Sequence, residues 1–163
     1  MKLIIKTTIL ISLYFLTSCN KKEAYQPVQG QWIKGTEKEK LNTIETQFRG
    51  FDKAMVEVGY RYQELYWAGQ DENWEYANYQ LQKINKAIKL GLQRRPRRAA
   101  SAENFLTYVI PEVKKSIQQK DAKLFNENFK MMRTNCTACH AAEKVPSFTV
   151  RIPTDRQSPI EKE

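Results

Sequence analysis

One apolar face near the end of the chain constrains the fold more than any other feature. Phe125, Phe129, Met132, Cys136 and Cys139 recur at steps of three and four, so they share one side of a helix. That face ends in Cys136-Thr137-Ala138-Cys139-His140, a C-x-x-C-H pattern. Two thiols one helical turn apart, followed by an imidazole, are the attachment pattern of a c-type haem. Each thiol forms a thioether to one porphyrin vinyl group, and the imidazole takes one axial position on the iron. His140 is the only histidine of the chain. One haem is therefore expected, with its opposite axial position left to Met, another side chain, water or nothing. A bare C-x-x-C also occurs in redox dithiols and zinc sites. A redox dithiol calls for a βαβ setting, which the pattern lacks. Zinc calls for four ligands, and the motif offers three.

The start of the chain gives an address. Residues 1–18 read as an exported leader: Lys2 and Lys6 precede an apolar run from Thr7 to Leu16, short for a bilayer span. Leu16-Thr17-Ser18-Cys19 resembles the lipobox of bacterial lipoproteins, which implies lipidation at Cys19. An ordinary signal peptide or signal anchor with an incidental cysteine is the alternative. Lipid on Cys19 and haem on Cys136 and Cys139 account for all three cysteines without a disulfide. The expected location is the periplasmic side of a membrane, and Asn20 after the cysteine favours the outer membrane. Residues 19–36 are polar, with Pro27, Gly30 and Gly35, and read as a tether. Residues 37–144 are expected to form the haem domain and residues 145–163 an extended tail.

Four amphipathic segments fill residues 37–144. The first seam runs Leu41, Ile44, Phe48, Phe51, Met55, Val58, Tyr62 and Leu65. Gly69-Gln70-Asp71 breaks it, with Asp71 as candidate N-cap of the next helix. The second seam is Trp74, Ala77, Leu81, Ile84 and Ile88, ending near Gly91. Pro96 interrupts the basic run Arg94 to Arg98. The third helix opens at Ser101 and carries Ala102, Leu106, Val109, Val113 and Ile117, with a kink or late start expected at Pro111. Asp121 caps the fourth. No strand-like alternation occurs. The expected fold is all-α, an antiparallel four-helix bundle with a covalently bound c-type haem in its core.

These residues resemble the cytochrome c′ family and its low-spin, Met-ligated relatives, four-helix monohaem cytochromes with C-x-x-C-H near the end of the last helix. Cys136, Cys139 and His140 carry the likeness, which spans roughly residues 41–142 and is one of architecture and motif position. The lipobox and the longer tail depart from the family. The chain is also similar to small exported monohaem proteins whose last helix carries C-x-x-C-H-A-A before a proline-containing tail, as in His140-Ala141-Ala142 and Pro146 to Pro153. The cytochrome c′ resemblance implies a distal residue from the first helix, which makes Met55 the candidate partner of His140 on the iron. An apolar-seam Met is also a common core filler. Phe129 and Met132 are expected beside the haem on the fourth helix. The family resemblance also implies a homodimer.

The distal ligand separates the functions. A Met-ligated iron is closed and serves transfer of single electrons. A five-coordinate iron behind Phe48, Phe51 and Met55 would bind NO or CO, as cytochrome c′ does. A small haem subunit of a larger oxidoreductase is a third reading. Peroxidase chemistry would want a distal acid–base group; there is no second histidine and Glu57 lies off the seam, so no enzyme activity is expected. The formal charge of +9 falls to about +7 once Lys2 and Lys6 leave with the leader. For an exported haem protein this points to acidic redox partners, haem propionates or lipid headgroups, and not to nucleic acid. Arg94, Arg95, Arg97 and Arg98 are the candidates for propionate pairing or partner docking, or form an exposed basic loop. Trp67, Trp74, Tyr66, Tyr76 and Tyr79 are expected to pack where the first two helices meet. In the tail, Val145, Phe148, Val150 and Ile152 alternate with polar residues, as in a segment covering the haem edge with Phe148 packing, or a partner-binding arm.

Overall fold

A computed structural model describes residues 27–162. The expected leader 1–18 and the candidate lipidation site Cys19 lie outside the described residues. The chain divides into two compact units between Thr46 and Gln47.

In the first unit, Gly35 at φ +100° turns the chain, and its N–H donates to the Gln29 side chain at 2.9 Å. Helix α1, Glu37–Phe48, follows at once. Thr36 and Glu39 start it reciprocally: the Thr36 N–H donates to Glu39 Oε2 at 2.7 Å, and the Glu39 N–H to Thr36 Oγ1 at 3.3 Å. Two otherwise orphaned donors are thereby satisfied. No residue of α1 is buried, and Leu41, Ile44 and Phe48 are exposed. This corrects the expectation of one seam from Leu41 to Leu65. The helix stops at Arg49, which takes φ +58°, and Gly50 restarts it, its N–H donating to Asp52 Oδ1 at 3.0 Å. The apolar spacing runs through the break because two inserted non-helical residues leave the three-and-four rhythm unchanged.

The second unit holds four helical rods packed about one core, with no strand among the described residues. They are α2 Phe51–Gln70, α3 Trp74–Arg94, a composite rod, and α6 Ala122–Ala142. The composite rod runs through α4 Ala99–Asn104, a π-turn Phe105–Val109 and α5 Ile110–Gln119. The π-turn has a cause in the sequence. Pro111 lacks an N–H and its ring crowds the preceding turn, so the helix widens there, and the Ile110 N–H reaches back to the Phe105 carbonyl. The expected kink is therefore absorbed as a bulge in a continuous rod.

Glycines set how closely the rods approach. A Cβ on Gly91 would lie 2.9 Å from Ala54 Cβ and 2.9 Å from the Phe51 ring, so α3 passes tightly over the start of α2. Gly91 is thus a close contact in the last turn of α3, which ends at Arg94, near where expected. A Cβ on Gly69 would lie 1.9 Å from the Phe125 ring, so α6 meets the last turn of α2 there. Helix α2 includes Gly69 and ends at Gln70. Asn73, not Asp71, caps α3, accepting from the Tyr76 N–H at 3.2 Å. Asp121 caps α6 as expected, accepting from the Leu124 N–H at 2.9 Å. Phe125, Phe129, Leu65, Leu81, Ile84 and Met132 fill the centre, each at most 2 % exposed. Among the described residues no helix is long and apolar enough to cross a membrane.

Candidate functional site

Helix α6 carries the whole C-x-x-C-H motif inside its last turns and ends at Ala142. Tyr62 of α2 stacks on Phe129 of α6 at 4.6 Å between ring centres, and Gly69 meets Phe125. Partners shift backwards along α6 as α2 advances, so the two helices run antiparallel. Met55 lies two turns before Tyr62, and Cys136 two turns beyond Phe129. The register therefore brings Met55 to the level of the Cys136 turn, on the facing helix. Met55 is half-buried and packed against the core. Phe129 and Met132 lie two turns and one turn deeper on α6, fully enclosed.

Cys136 and Cys139 are both free thiols. Cys136 keeps some exposed surface, yet burial pushes its thiol up to about 12, with the neighbouring Cys139 adding to the shift. Its inner neighbour is Tyr62, whose phenol is also pushed up by burial and then by Cys136. Burial likewise raises the Cys139 thiol, against a hydrogen bond with Ser101. Glu143 adds to that rise, and Arg98 opposes it. Ser101 and Arg98 both bond the Glu143 carboxylate, so the end of α6 is tied to the start of α4. The Arg98 guanidinium also lies 5.6 Å from the centre of the Phe51 ring. The ends of α3 and α6 and the starts of α2 and α4 thus gather at one end of the unit. Arg94, Arg95 and Arg97 belong to that end, and among the described residues only Arg98 of the four is paired with a carboxylate there.

His140 has a defined partner. Its Nδ1 lies against the backbone carbonyl of Phe148, and a carbonyl only accepts, so the neutral ring carries its proton on Nδ1. The Nε2 lone pair is then the free one. The Phe148 ring meets the imidazole edge-on at 6.5 Å. The carbonyl arrives there through a tight reversal after α6. Lys144 takes φ +63°, its N–H donates to Ala141 O at 3.0 Å, and the Val145 N–H donates to His140 O at 2.9 Å. This is the paired bonding that commonly closes a helix, with lysine where glycine is usual.

The Phe148 ring is 64 % exposed, whereas Val150 and Ile152 pack on the core. The useful group of Phe148 is a backbone carbonyl, which no side-chain pattern signals. Tyr62 was legible only as an apolar-seam position. Its proximity to Cys136 depends on the register of two helices far apart in sequence. Tyr76 and Tyr79 lie where α2 and α3 meet, as expected, Tyr76 bonding Glu64 and Tyr79 lying under Arg61, whereas Trp74 and Tyr66 reach past that meeting to Phe125 and Phe129 of α6.

The donor chemistry fits a c-type haem: two unpaired thiols and an imidazole with a free Nε2 on adjoining turns of one helix. Among the described residues there is no group of three or more His, Cys, Asp and Glu side chains arranged to hold a metal ion by themselves. No protein-family model matches the chain, and neither a curated protein nor a solved structure is significantly similar to it.

Proposed function

We propose that the chain is an exported, membrane-tethered monohaem c-type cytochrome that passes single electrons. Its helices would form an antiparallel four-helix bundle around the haem, in the manner of the cytochrome c′ family it resembles. The observation that carries this reading is the His140 Nδ1–H held by the Phe148 carbonyl. Metal-bound histidines commonly donate their second ring N–H to such an acceptor, which fixes the tautomer and aims the other nitrogen. Cys136 and Cys139 would take the two thioether bonds, His140 the proximal position through Nε2, and Met55 the opposite one. The bound group supplies a one-electron iron couple. The chain's own part is to hold it, fix the imidazole and keep water from the inner side with Tyr62, Phe129 and Met132. A leader ending at Ser18 and lipid on Cys19 would deliver the protein to the periplasmic face of a membrane, the outer one favoured. Arg95 and Arg97, exposed at the same end of the bundle, suit an acidic redox partner.

The test is the full chain produced with a haem-attachment system. Covalent haem is expected by mass, and Cys136→Ala with Cys139→Ala should abolish it; retention of haem in that variant overturns the attachment. A sharp low-spin reduced spectrum unchanged by CO is expected, and Met55→Ala should then let CO bind. A broad high-spin reduced spectrum that shifts with CO in the unmodified protein would replace electron transfer with gas binding.

A further inference from the structure

The tail after α6 does more than end the chain. From Phe148 onward it runs back along α2 and α6 in extended form, and it is fastened at each step. The Val150 N–H donates to Thr137 Oγ1 at 3.2 Å, inside the C-x-x-C-H motif. The Arg151 carbonyl accepts from the Tyr62 hydroxyl at 3.2 Å. Val150 and Ile152 pack against the core. Further on, Arg156 pairs with Asp71 and lies 4.9 Å from the centre of the Trp67 ring. Ser158 Oγ donates to Glu64 Oε2 at 2.7 Å, the same oxygen that accepts from the Tyr76 hydroxyl at 2.6 Å.

One point makes this more than a docked end. Glu64 is only 2 % exposed, and a carboxylate so enclosed needs donors. The strap supplies one of them through Ser158, so its far end is tied to the interior as its near end is tied to His140.

We infer that residues 148–158 are a positioning strap for His140. The Phe148 carbonyl fixes the imidazole tautomer, and Val150, Ile152, Arg156 and Ser158 hold that carbonyl in place. For the haem-loaded protein this rests on the function proposed above; for the imidazole itself it does not.

Two full-chain variants test it. Val150→Asp with Ile152→Asp expels the strap by placing charges on its apolar contacts. Arg156→Gln with Ser158→Ala loosens only its far end. In the haem-free chain at a pH where the ring is neutral, ¹⁵N NMR reads the His140 tautomer. The Nδ1–H to Nε2–H ratio is expected to fall roughly 3- to 10-fold when the strap is expelled, the factor a net hydrogen bond represents. A smaller fall is expected for the loosened variant, with the unmodified ratio kept by Arg156→Lys. In the haem-loaded chain, the weaker imidazole donor should raise the midpoint potential in the same order. An unchanged tautomer in the expelled variant, with α2–α6 amide shifts preserved, overturns the strap. An unchanged tautomer in the loosened variant alone removes Arg156 and Ser158 from it. A chain that takes up no haem but shows the tautomer change overturns the cytochrome reading and leaves the strap standing.

Discussion

Cys136 shows how a single side chain can be tuned against its own use. Its thiol is pushed from 9.0 to about 12 because burial disfavours the thiolate. At pH 8 the reactive form is then about a thousandfold scarcer than for an ordinary thiol. The haem-free, folded chain should therefore alkylate slowly at Cys136, with the rate recovered in urea; equal rates in the two conditions would show that the thiol is not enclosed. The same shift has a sign for stability. The folded state favours the neutral thiol, so the stability it contributes is complete below about pH 9 and is lost as pH rises towards 12.

At the scale of elements, helix ends decide the connections. Both reversals that flank α6 use lysine in the left-handed region, Lys120 at φ +54° and Lys144 at φ +63°. At the first, the Lys120 N–H donates to Ile117 O at 3.1 Å and the Asp121 N–H to Ser116 O at 3.2 Å, which leaves Asp121 free to cap α6. Lysine pays a steric cost there that glycine avoids. Lys120→Gly is thus expected to raise stability by up to about 1 kcal/mol, seen as a higher urea midpoint with unchanged slope; a lower midpoint would mean the lysine side chain contributes more than its backbone costs. These reversals also explain what the sequence could and could not tell. Seams such as Trp74 to Ile88 and Phe125 to Cys139 were legible because period and burial coincide. Arg49, Glu72, Lys120 and Lys144 put no glycine at the left-handed position itself, so residue types such as Gly69 and Asp121 mark the neighbourhood of a break but not the residue that makes it. Asp71 looked like a cap because aspartate often is one, but its carboxylate is taken by Arg156, 85 positions away. The motif itself was fully legible. The groups around it were not, since Tyr62, Ser101, Glu143 and the Phe148 carbonyl reach it only through tertiary packing.

At the scale of the whole molecule, the second unit is asymmetric along its length. One end gathers the C-x-x-C-H turns, the Arg98–Glu143 tie and the exposed Arg95 and Arg97; the other carries the far anchors of the strap and an open hollow of about 670 Å³. The hollow is lined by residues such as Glu72, Trp74 and Lys114, so it mixes charge signs, whereas the motif end is dominated by one sign. If the proposed reading holds, an acidic partner would meet the motif end, where Arg95 and Arg97 are exposed. Steering by such a field raises association rates by about 10-fold or more and is screened over about 10 Å at 0.1 M salt. For the reduced, haem-loaded protein, oxidation by anionic ferricyanide is therefore expected to slow as ionic strength rises. Arg95→Glu with Arg97→Glu should lower that rate several-fold at low salt and hardly at all at high salt. Both residues are exposed, and neither pairs with a carboxylate among the described residues, so the fold should not be disturbed. If the double variant instead follows the unmodified protein at every salt concentration, electrons leave from another face, and the arginine end is only a solvated turn.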